Sequence, residues 1–322
     1  MAEQQFATFD EMSQHIYRLY VQGEYAEALA VITREAPRFP ERIQDIRHLR
    51  ACLLAVQGQG DEALGHLREA IEDGHWFSET VWADTDFDSI REHPEFARLK
   101  AISGERRQGI QAQVRPELLT VMPGDTDPAP LLVALHGNGS NVRWHKAHWS
   151  PAARMGWLVA MPQSTQLSSL DSEGQLAFVW NNEDTNVREL QQHLAAVEGG
   201  YAPDRARAVW GGFSRGAELA LTVALAGDFS MQGVVAVCPG GPRMRTPESW
   251  EPLIAQGQGR DLRVAMVMGG QDTFVPGTEK LVTMLREAGI PVELAVYPEM
   301  GHDYPADFAR RLPDLLTFAL GS

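Results

Sequence analysis

Three side chains with complementary chemistry lie in separate loops of the second half of the chain. Ser214 stands in the run GFSRG (212–216), Asp272 in GGQDTFVP (269–276), and His302 in GHDYP (301–305). A serine hydroxyl is a poor nucleophile at neutral pH and needs a base, and a histidine base needs an acid to fix its tautomer. We therefore expect Ser214 to be a nucleophile, His302 its base and Asp272 the acid.

The run GFSRG has the form G-x-S-x-G, with an apolar stretch before it and the helix-compatible AELALTVALA after it. Glycines at both ends allow backbone and helix to approach closely, so that the turn pushes the hydroxyl above the sheet edge at a helix N-terminus. A bare G-x-S-x-G also occurs by chance as an ordinary turn. The strand before it and the helix after it favour a nucleophile turn.

The loop LHGNGSN (135–141) follows an apolar run and contains two glycines. Such a loop can turn a backbone amide toward the nucleophile. We expect the amides of Asn138 and Arg215 to form an oxyanion hole, with Gly139 as the alternative to Asn138. His136 is expected to pack and hydrogen-bond rather than to react.

A polar segment between Gln163 and Asp184 ends in FVWNNED. Because it follows a predicted strand, it can reach over the sheet edge, so Phe178 and Trp180 are predicted to line the acyl or alcohol pocket. Phe213, beside the nucleophile, is predicted to join them, with core packing as the alternative for each ring. Asp184 is the rival acid, although it lies upstream of the serine.

These loops must be positioned by a sheet, and from about residue 109 short apolar runs alternate with helical segments. This alternation predicts an α/β fold with a mostly parallel sheet flanked by helices, and active residues at the carboxyl ends of its strands. Arg115 to Met122 is a candidate edge strand. The predicted inner strands are 131–136, 156–162, 207–212, 233–239, 262–270 and 291–298, and the predicted helices are 186–198, 215–226, 277–288 and 304–320.

The N-terminal part instead shows helical spacing of apolar residues and predicts a smaller all-α domain over 1–104, with the α/β domain over 105–322. GEYAEALAVITREA from Gly23 and GQGDEALGHLREAI from Gly58 repeat at a spacing of 35 residues, which is typical of tetratricopeptide-like helical hairpins. The polar run 102–109 is predicted to be the linker. Such helices are candidates for binding a protein partner or for forming a homo-oligomer.

Composition and charge narrow the range of functions that the protein can have. The formal net charge of −15 argues against nucleic-acid binding, and no apolar run is long enough for membrane insertion, so a cytoplasmic location is expected. Cys52 and Cys238 are too few and too far apart for a metal cluster and are read as buried hydrophobes. His145 and His148 form an H-x-x-H pair without an evident third ligand. We expect no cofactor and no metal.

On the motifs HGNGS, GFSRG, GGQDTFVP and GH, residues 109–322 resemble the α/β-hydrolases of the carboxylesterase, phospholipase/carboxylesterase and dienelactone hydrolase group. The resemblance implies a Ser-His-Asp triad, an acyl-enzyme intermediate and no cofactor. The chain has Ser214 where dienelactone hydrolases use cysteine, which favours hydrolysis of a small-molecule ester or thioester. Two alternatives remain: a serine peptidase on the same fold, and a tetratricopeptide-like interaction protein with an inert hydrolase domain.

Overall fold

The computed structural model of the chain describes residues 6–124, 128–170 and 174–321. The chain divides into two compact units between Val114 and Arg115, with Ser169–Gln175 grouped with the first. In the part of the chain that the structure describes, no helix is both long enough and apolar enough to cross a membrane.

The first unit is helical, and its two sequence repeats occupy equivalent structural positions. Gly23 and Gly58 each follow the end of a helix, and both have φ +77°. Ala28 and Ala63, which match in the two copies, are fully buried because a small residue lets neighbouring helices approach closely. The helices are α1 (Phe9–Val21), α2 (Tyr25–Glu35), α3 (Ile43–Val56), α4 (Gly60–Glu72), α5 (Glu79–Trp82) and α6 (Pro94–Gln111).

Helix α6 corrects the predicted domain boundary. It runs through the predicted linker 102–109, and the division of the chain lies ten residues beyond residue 104. The polar composition of this stretch suggests an exposed linker, but the Ser103 hydroxyl within it is buried. Ser103 accepts hydrogen bonds from the Phe77 amide (2.8 Å) and the Trp82 indole (3.2 Å), so this stretch belongs to the core of the helical unit.

The second unit is built on a sheet that, among the described residues, has seven strands in the order β1-β3-β2-β6-β7-β8-β9. The edge strand β1 is antiparallel to β3, and the pairs from β3 through β9 are parallel. Strands β4 and β5 form a separate two-stranded sheet. The strands are β1 (Leu118–Val121), β2 (Pro130–Leu135), β3 (Leu158–Pro162), β4 (Leu167–Leu170), β5 (Leu176–Phe178), β6 (Asp204–Phe213), β7 (Gly233–Val237), β8 (Arg263–Gly269) and β9 (Val292–Tyr297).

Hydrophobic cores cover both faces of this sheet, which explains the continuous apolar runs in the sequence. In β2, Leu131, Val133 and Leu135 join the core on one face, while Leu132 and Ala134 join the core on the other. The fold class predicted from the sequence is therefore confirmed. The helices of this unit are α7 (Val142–Trp149), α8 (Glu183–Tyr201), α9 (Arg215–Ala226), α10 (Pro242–Arg245), α11 (Glu251–Gly257), α12 (Val275–Glu287) and α13 (Phe308–Leu320).

Candidate active site

The turn between β6 and α9 carries Ser214. Its backbone has φ 54° and ψ −122°, with φ in the left-handed region that residues with a Cβ rarely adopt. Three hydrogen bonds hold this conformation: the Ser214 amide donates to the Val237 carbonyl (3.0 Å), and the Ser214 carbonyl accepts from the amides of Glu218 and Gly240 (both 3.1 Å). The surrounding backbone therefore maintains a strained turn, an arrangement that often marks functional sites.

The two glycines of GFSRG are required by close backbone approach. A Cβ on Gly212 would lie 2.6 Å from the carbonyl carbon of Gly216. A Cβ on Gly216 would lie 2.3 Å from the Leu135 carbonyl oxygen and 2.4 Å from that of His136. The start of α9 is thus pressed against the end of β2, which brings the loop after β2 beside Ser214.

Gly216→Ala should destabilise the protein at the upper end of the roughly 1–3 kcal/mol that overpacking costs, because the new methyl group meets backbone atoms that cannot rotate away. Urea unfolding of the full chain measures the change. Gly199→Ala in α8 is the matched control, since a Cβ there meets nothing within 4 Å and alanine favours the helix. A Gly216→Ala variant as stable as the control would contradict the packing described above.

The structure brings Ser214, His302 and Asp272 together in one hydrogen-bonded row. His302 Nε2 lies 2.8 Å from Ser214 Oγ, and His302 Nδ1 lies 2.6 Å from Asp272 Oδ2. Asp272 follows β8 and its side chain is fully buried, whereas His302 follows β9 and is about one-third exposed. The other Asp272 oxygen accepts the Phe274 amide at 2.9 Å, which fixes the carboxylate plane.

The row takes its residues from the ends of β6, β8 and β9, and the residue after β7, which lies between β6 and β8, is Cys238. Its thiol donates to the Asp303 carbonyl at 3.2 Å, and its sulfur lies within 4.8 Å of ligand atoms of both Asp272 and His302. Burial raises the pKa of Cys238 to about 12, so it remains a neutral thiol at ordinary pH. Cys238 is buried as predicted, but its hydrogen bond to the loop that carries His302 could not be predicted from the sequence.

The two predicted oxyanion donors lie in different segments, Asn138 in the loop after β2 and Arg215 at the start of α9. The Arg215 amide is the first of α9, and such amides have no acceptor within their own helix. The Gly139 amide, the alternative donor, is engaged by the Phe178 carbonyl at 2.9 Å. Among the described residues no backbone acceptor is paired with the Asn138 amide, so the geometry favours Asn138 over Gly139.

The Arg215 side chain is turned away from solvent. Its Nε donates to the Trp180 carbonyl at 2.9 Å, and its guanidinium pairs with the fully buried Glu218. Glu218 in turn accepts the Met244 amide at 3.3 Å. This buried pair anchors the first turn of α9 and keeps the Arg215 charge engaged inside the protein.

The pocket predicted from Phe178 and Trp180 is corrected. Trp180 is fully buried and its indole donates to the His136 carbonyl at 2.9 Å, while its amide donates to the Asn138 side chain at 2.8 Å. Phe178 is 3% exposed and its backbone pairs with Ser140. Both residues pack against the loop after β2, because β5 runs along that loop instead of over the sheet edge.

Aromatic rings do flank the histidine. The Phe213 ring centroid lies 5.1 Å from that of His302 and stacks on Tyr304 at 4.8 Å, and Phe274 lies 5.6 Å from His302 on another side. Trp144, which the sequence did not single out as a pocket residue, is 46% exposed and lies 6.0 Å from Phe213. His302 therefore has apolar neighbours in Phe213 and Phe274.

The other histidines near the site have packing roles. Nε2 of His136 accepts the Ser164 amide at 3.2 Å and Nδ1 lies 2.8 Å from the Gly137 carbonyl; burial lowers the pKa of His136 to about 4. His145 bonds to the Tyr304 hydroxyl (3.1 Å) and His148 stacks on the same ring at 3.8 Å.

Two alternatives from the sequence were a metal site at His145 and His148 and Asp184 as the acid. Within the described ranges, no three-ligand group includes His145 or His148. Asp184 lies exposed in the first turn of α8, and the described hydrogen bonds of His302 go to Asp272 and Ser214 instead.

Comparison with solved structures supports the fold alone, since the identities are low. An uncharacterized protein from Bacillus cereus ATCC 10987 aligns with a TM-score of 0.54 at 24% identity, covering 97% of this chain and 98% of that one. Esterase PE8 aligns with a TM-score of 0.51 at 21% identity (64% and 100% covered). The fluorophosphonate-binding serine hydrolase FphF of Staphylococcus aureus aligns with a TM-score of 0.50 at 13% identity (64% and 92%). No curated protein matches the chain.

Family models match both units. Residues 8–111 match the model of the A/B hydrolase-like N-terminal domain, which covers the helices α1 to α6. Residues 140–312 match the model of the dienelactone hydrolase family, from the loop after β2 to the last helix. This second match spans more than half of the 322 residues and includes the turn of Ser214 and the loops after β8 and β9. The chain therefore belongs to the dienelactone hydrolase family.

Proposed function

We propose that this protein is a serine hydrolase that cleaves an ester or thioester bond, with Ser214 as nucleophile, His302 as base and Asp272 as acid. The observation that carries the proposal is the hydrogen-bonded row from Ser214 Oγ to His302 Nε2 (2.8 Å) and from His302 Nδ1 to Asp272 Oδ2 (2.6 Å). Each contact lies within the reach that proton transfer and tautomer control require.

In the first half-reaction His302 Nε2 takes the Ser214 proton while Oγ attacks the carbonyl carbon and the carbonyl electron pair moves to oxygen. Asp272 accepts the Nδ1–H bond throughout and stabilises the imidazolium. His302 then gives its proton to the leaving oxygen or sulfur, and an acyl-serine remains. Water, deprotonated by the same histidine, attacks this acyl group. His302 then returns the proton to Ser214 Oγ as the ester bond breaks and the acid leaves.

The negative charge that develops on the carbonyl oxygen needs donors that are already in place. We propose the amides of Asn138 and Arg215 for this role, together with the dipole of the 12-residue helix α9, whose N-terminus adjoins Ser214. The packing of Trp180 and Phe178 behind the loop supports the first donor. The buried Arg215–Glu218 pair supports the second.

A serine nucleophile and its apolar surroundings favour esters and thioesters. The dienelactone hydrolase pattern has cysteine at the position of Ser214, and a hydroxyl depends more strongly on its base than a thiol does. Phe213 and Phe274 beside His302 favour an acyl or leaving group with apolar surface. Ester cleavage by esterase PE8, which shares the fold, is consistent with this assignment.

We expect the purified full chain to hydrolyse p-nitrophenyl esters and acyl thioesters of varied chain length, with a burst of about one product per active site where deacylation is slow. Stopped-flow detection of p-nitrophenolate and free thiol measures the burst and the steady-state rate. The hydrolysis rates of matched peptide anilides serve as the comparison. Turnover of anilides above esters would favour a peptidase. No turnover of any member would favour an interaction protein with an inert hydrolase unit.

A further inference from the structure

A second cluster of reactive side chains lies in the helical unit, and the proposed hydrolysis does not use it. His48 and Cys52 are four residues apart on α3, so they share one face of the helix. His48 Nε2 lies 3.5 Å from Cys52 Sγ. The thiol is buried and the imidazole is half-buried, so the pair is largely shielded from solvent.

Asp84 faces this pair from another part of the chain. It caps the short 3₁₀ helix Thr85–Phe87, where one carboxylate oxygen accepts the Asp86 amide at 3.0 Å. The ligand atoms of His48, Cys52 and Asp84 all lie within 4.8 Å of one another. An imidazole, a thiol and a carboxylate from two separate segments thus converge on one point.

The charge of this cluster is not balanced by protein groups. Asp84 and Asp86 are both half-buried, and within the described residues neither carboxylate forms an ion pair with a cationic side chain. Arg91, the nearest candidate, donates to the Asp84 carbonyl and pairs with the Asp88 carboxylate instead. A bound cation would offset this excess of negative charge.

We propose that His48, Cys52 and Asp84 form a binding site for a divalent transition metal of zinc-like chemistry, which ties α3 to the Thr85–Phe87 segment. The mixed nitrogen, sulfur and oxygen set suits zinc or cobalt and is wrong for magnesium or calcium. Ligand atoms around a tetrahedral zinc stand about 3.4–3.6 Å apart, given bond lengths of about 2.0–2.3 Å. The His48–Cys52 separation of 3.5 Å already has this value.

The site would be structural. Helix α3 and the Thr85–Phe87 segment are joined by packing around Phe87, whose ring lies 6.1 Å from that of His48. Three protein ligands leave one tetrahedral position for water or for an oxygen of Asp86, whose carboxylate already accepts the Tyr20 hydroxyl. Metal binding would then stabilise the helical unit, because the unfolded chain offers no preformed site.

The test uses the full chain, stripped with a chelator and titrated with Co²⁺ and then Zn²⁺. We expect one Co²⁺ per chain with a thiolate-to-cobalt charge-transfer band, displacement by Zn²⁺, and a melting temperature that rises with free metal concentration. Cys52→Ser should abolish the charge-transfer band. His48→Gln and Asp84→Asn should weaken binding by at least the roughly 10–100-fold that loss of a supporting ligand partner costs.

His75→Gln, in the same unit but outside the cluster, is the control and should bind as the unmodified chain does. If Cys52→Ser fails to fold, the other two ligand variants still report on the same site. A band that survives Cys52→Ser but disappears in Cys238→Ser would place the metal near His302 and overturn the proposal. Absence of any thiolate band in the unmodified chain would overturn it as well.

Discussion

Ser214→Ala should lower kcat for ester hydrolysis by at least about three orders of magnitude while leaving the fold intact. The substitution removes the attacking oxygen, so what remains is the smaller acceleration from the oxyanion donors and substrate binding. The strained φ of 54° at this position should not prevent folding, because the backbone bonds to Val237, Glu218 and Gly240 do not involve the hydroxyl. Steady-state kinetics and a melting curve measure the two effects.

A fluorophosphonate probe tests the same residue without a substrate. We expect one label per chain in the unmodified protein and none in Ser214→Ala. Ser249→Ala is the control, since the Ser249 hydroxyl donates to the Thr246 carbonyl and takes no part in the proposed triad. Labelling that persists unchanged in Ser214→Ala would show that another residue is the nucleophile.

The positions of Ser214, Asp272 and His302 could be predicted because each follows a strand that is recognisable in the sequence as an apolar run. Parallel strands end on the same edge, so residues that are 58 and 30 positions apart in the chain must converge there. The glycines of GFSRG indicated positions with no room for a side chain. The close approach of α9 to β2 explains why none fits. The positions of the strands and of the serine turn depend mainly on hydrophobic periodicity and turn chemistry, which are local properties of the sequence.

Features that depend on tertiary neighbours could not be predicted in this way. A polar segment after a strand indicates that Trp180 and Phe178 lie near the sheet edge, but not which side of the loop after β2 they pack against. The polar run around Ser103 resembles a linker because the buried partners of its hydroxyl are more than 20 residues away. His48 and Cys52 become a candidate site only when Asp84 is brought beside them.

The acid is tested by Asp272→Asn, which should reduce kcat by about 10⁴ with little change in stability. Asparagine can keep its carbonyl oxygen on the Phe274 amide, so the loop after β8 should hold its shape. Its NH₂ group would then face His302 Nδ1 as a donor, which forces the ring proton onto Nε2. A ring with hydrogen on Nε2 cannot accept the Ser214 proton, and the base is lost although every atom stays near its place.

The matched control is Asp184→Asn, which removes an exposed carboxylate in the first turn of α8 and should leave kcat within about twofold, since surface changes away from the site have small effects. Both variants should be compared for kcat, kcat/KM and melting temperature with the same ester. If Asp184→Asn lost about 10⁴ in kcat and Asp272→Asn did not, the acid would be misassigned. If neither did, His302 would work without a carboxylate partner, and the 2.6 Å contact between its Nδ1 and Asp272 would serve only the fold.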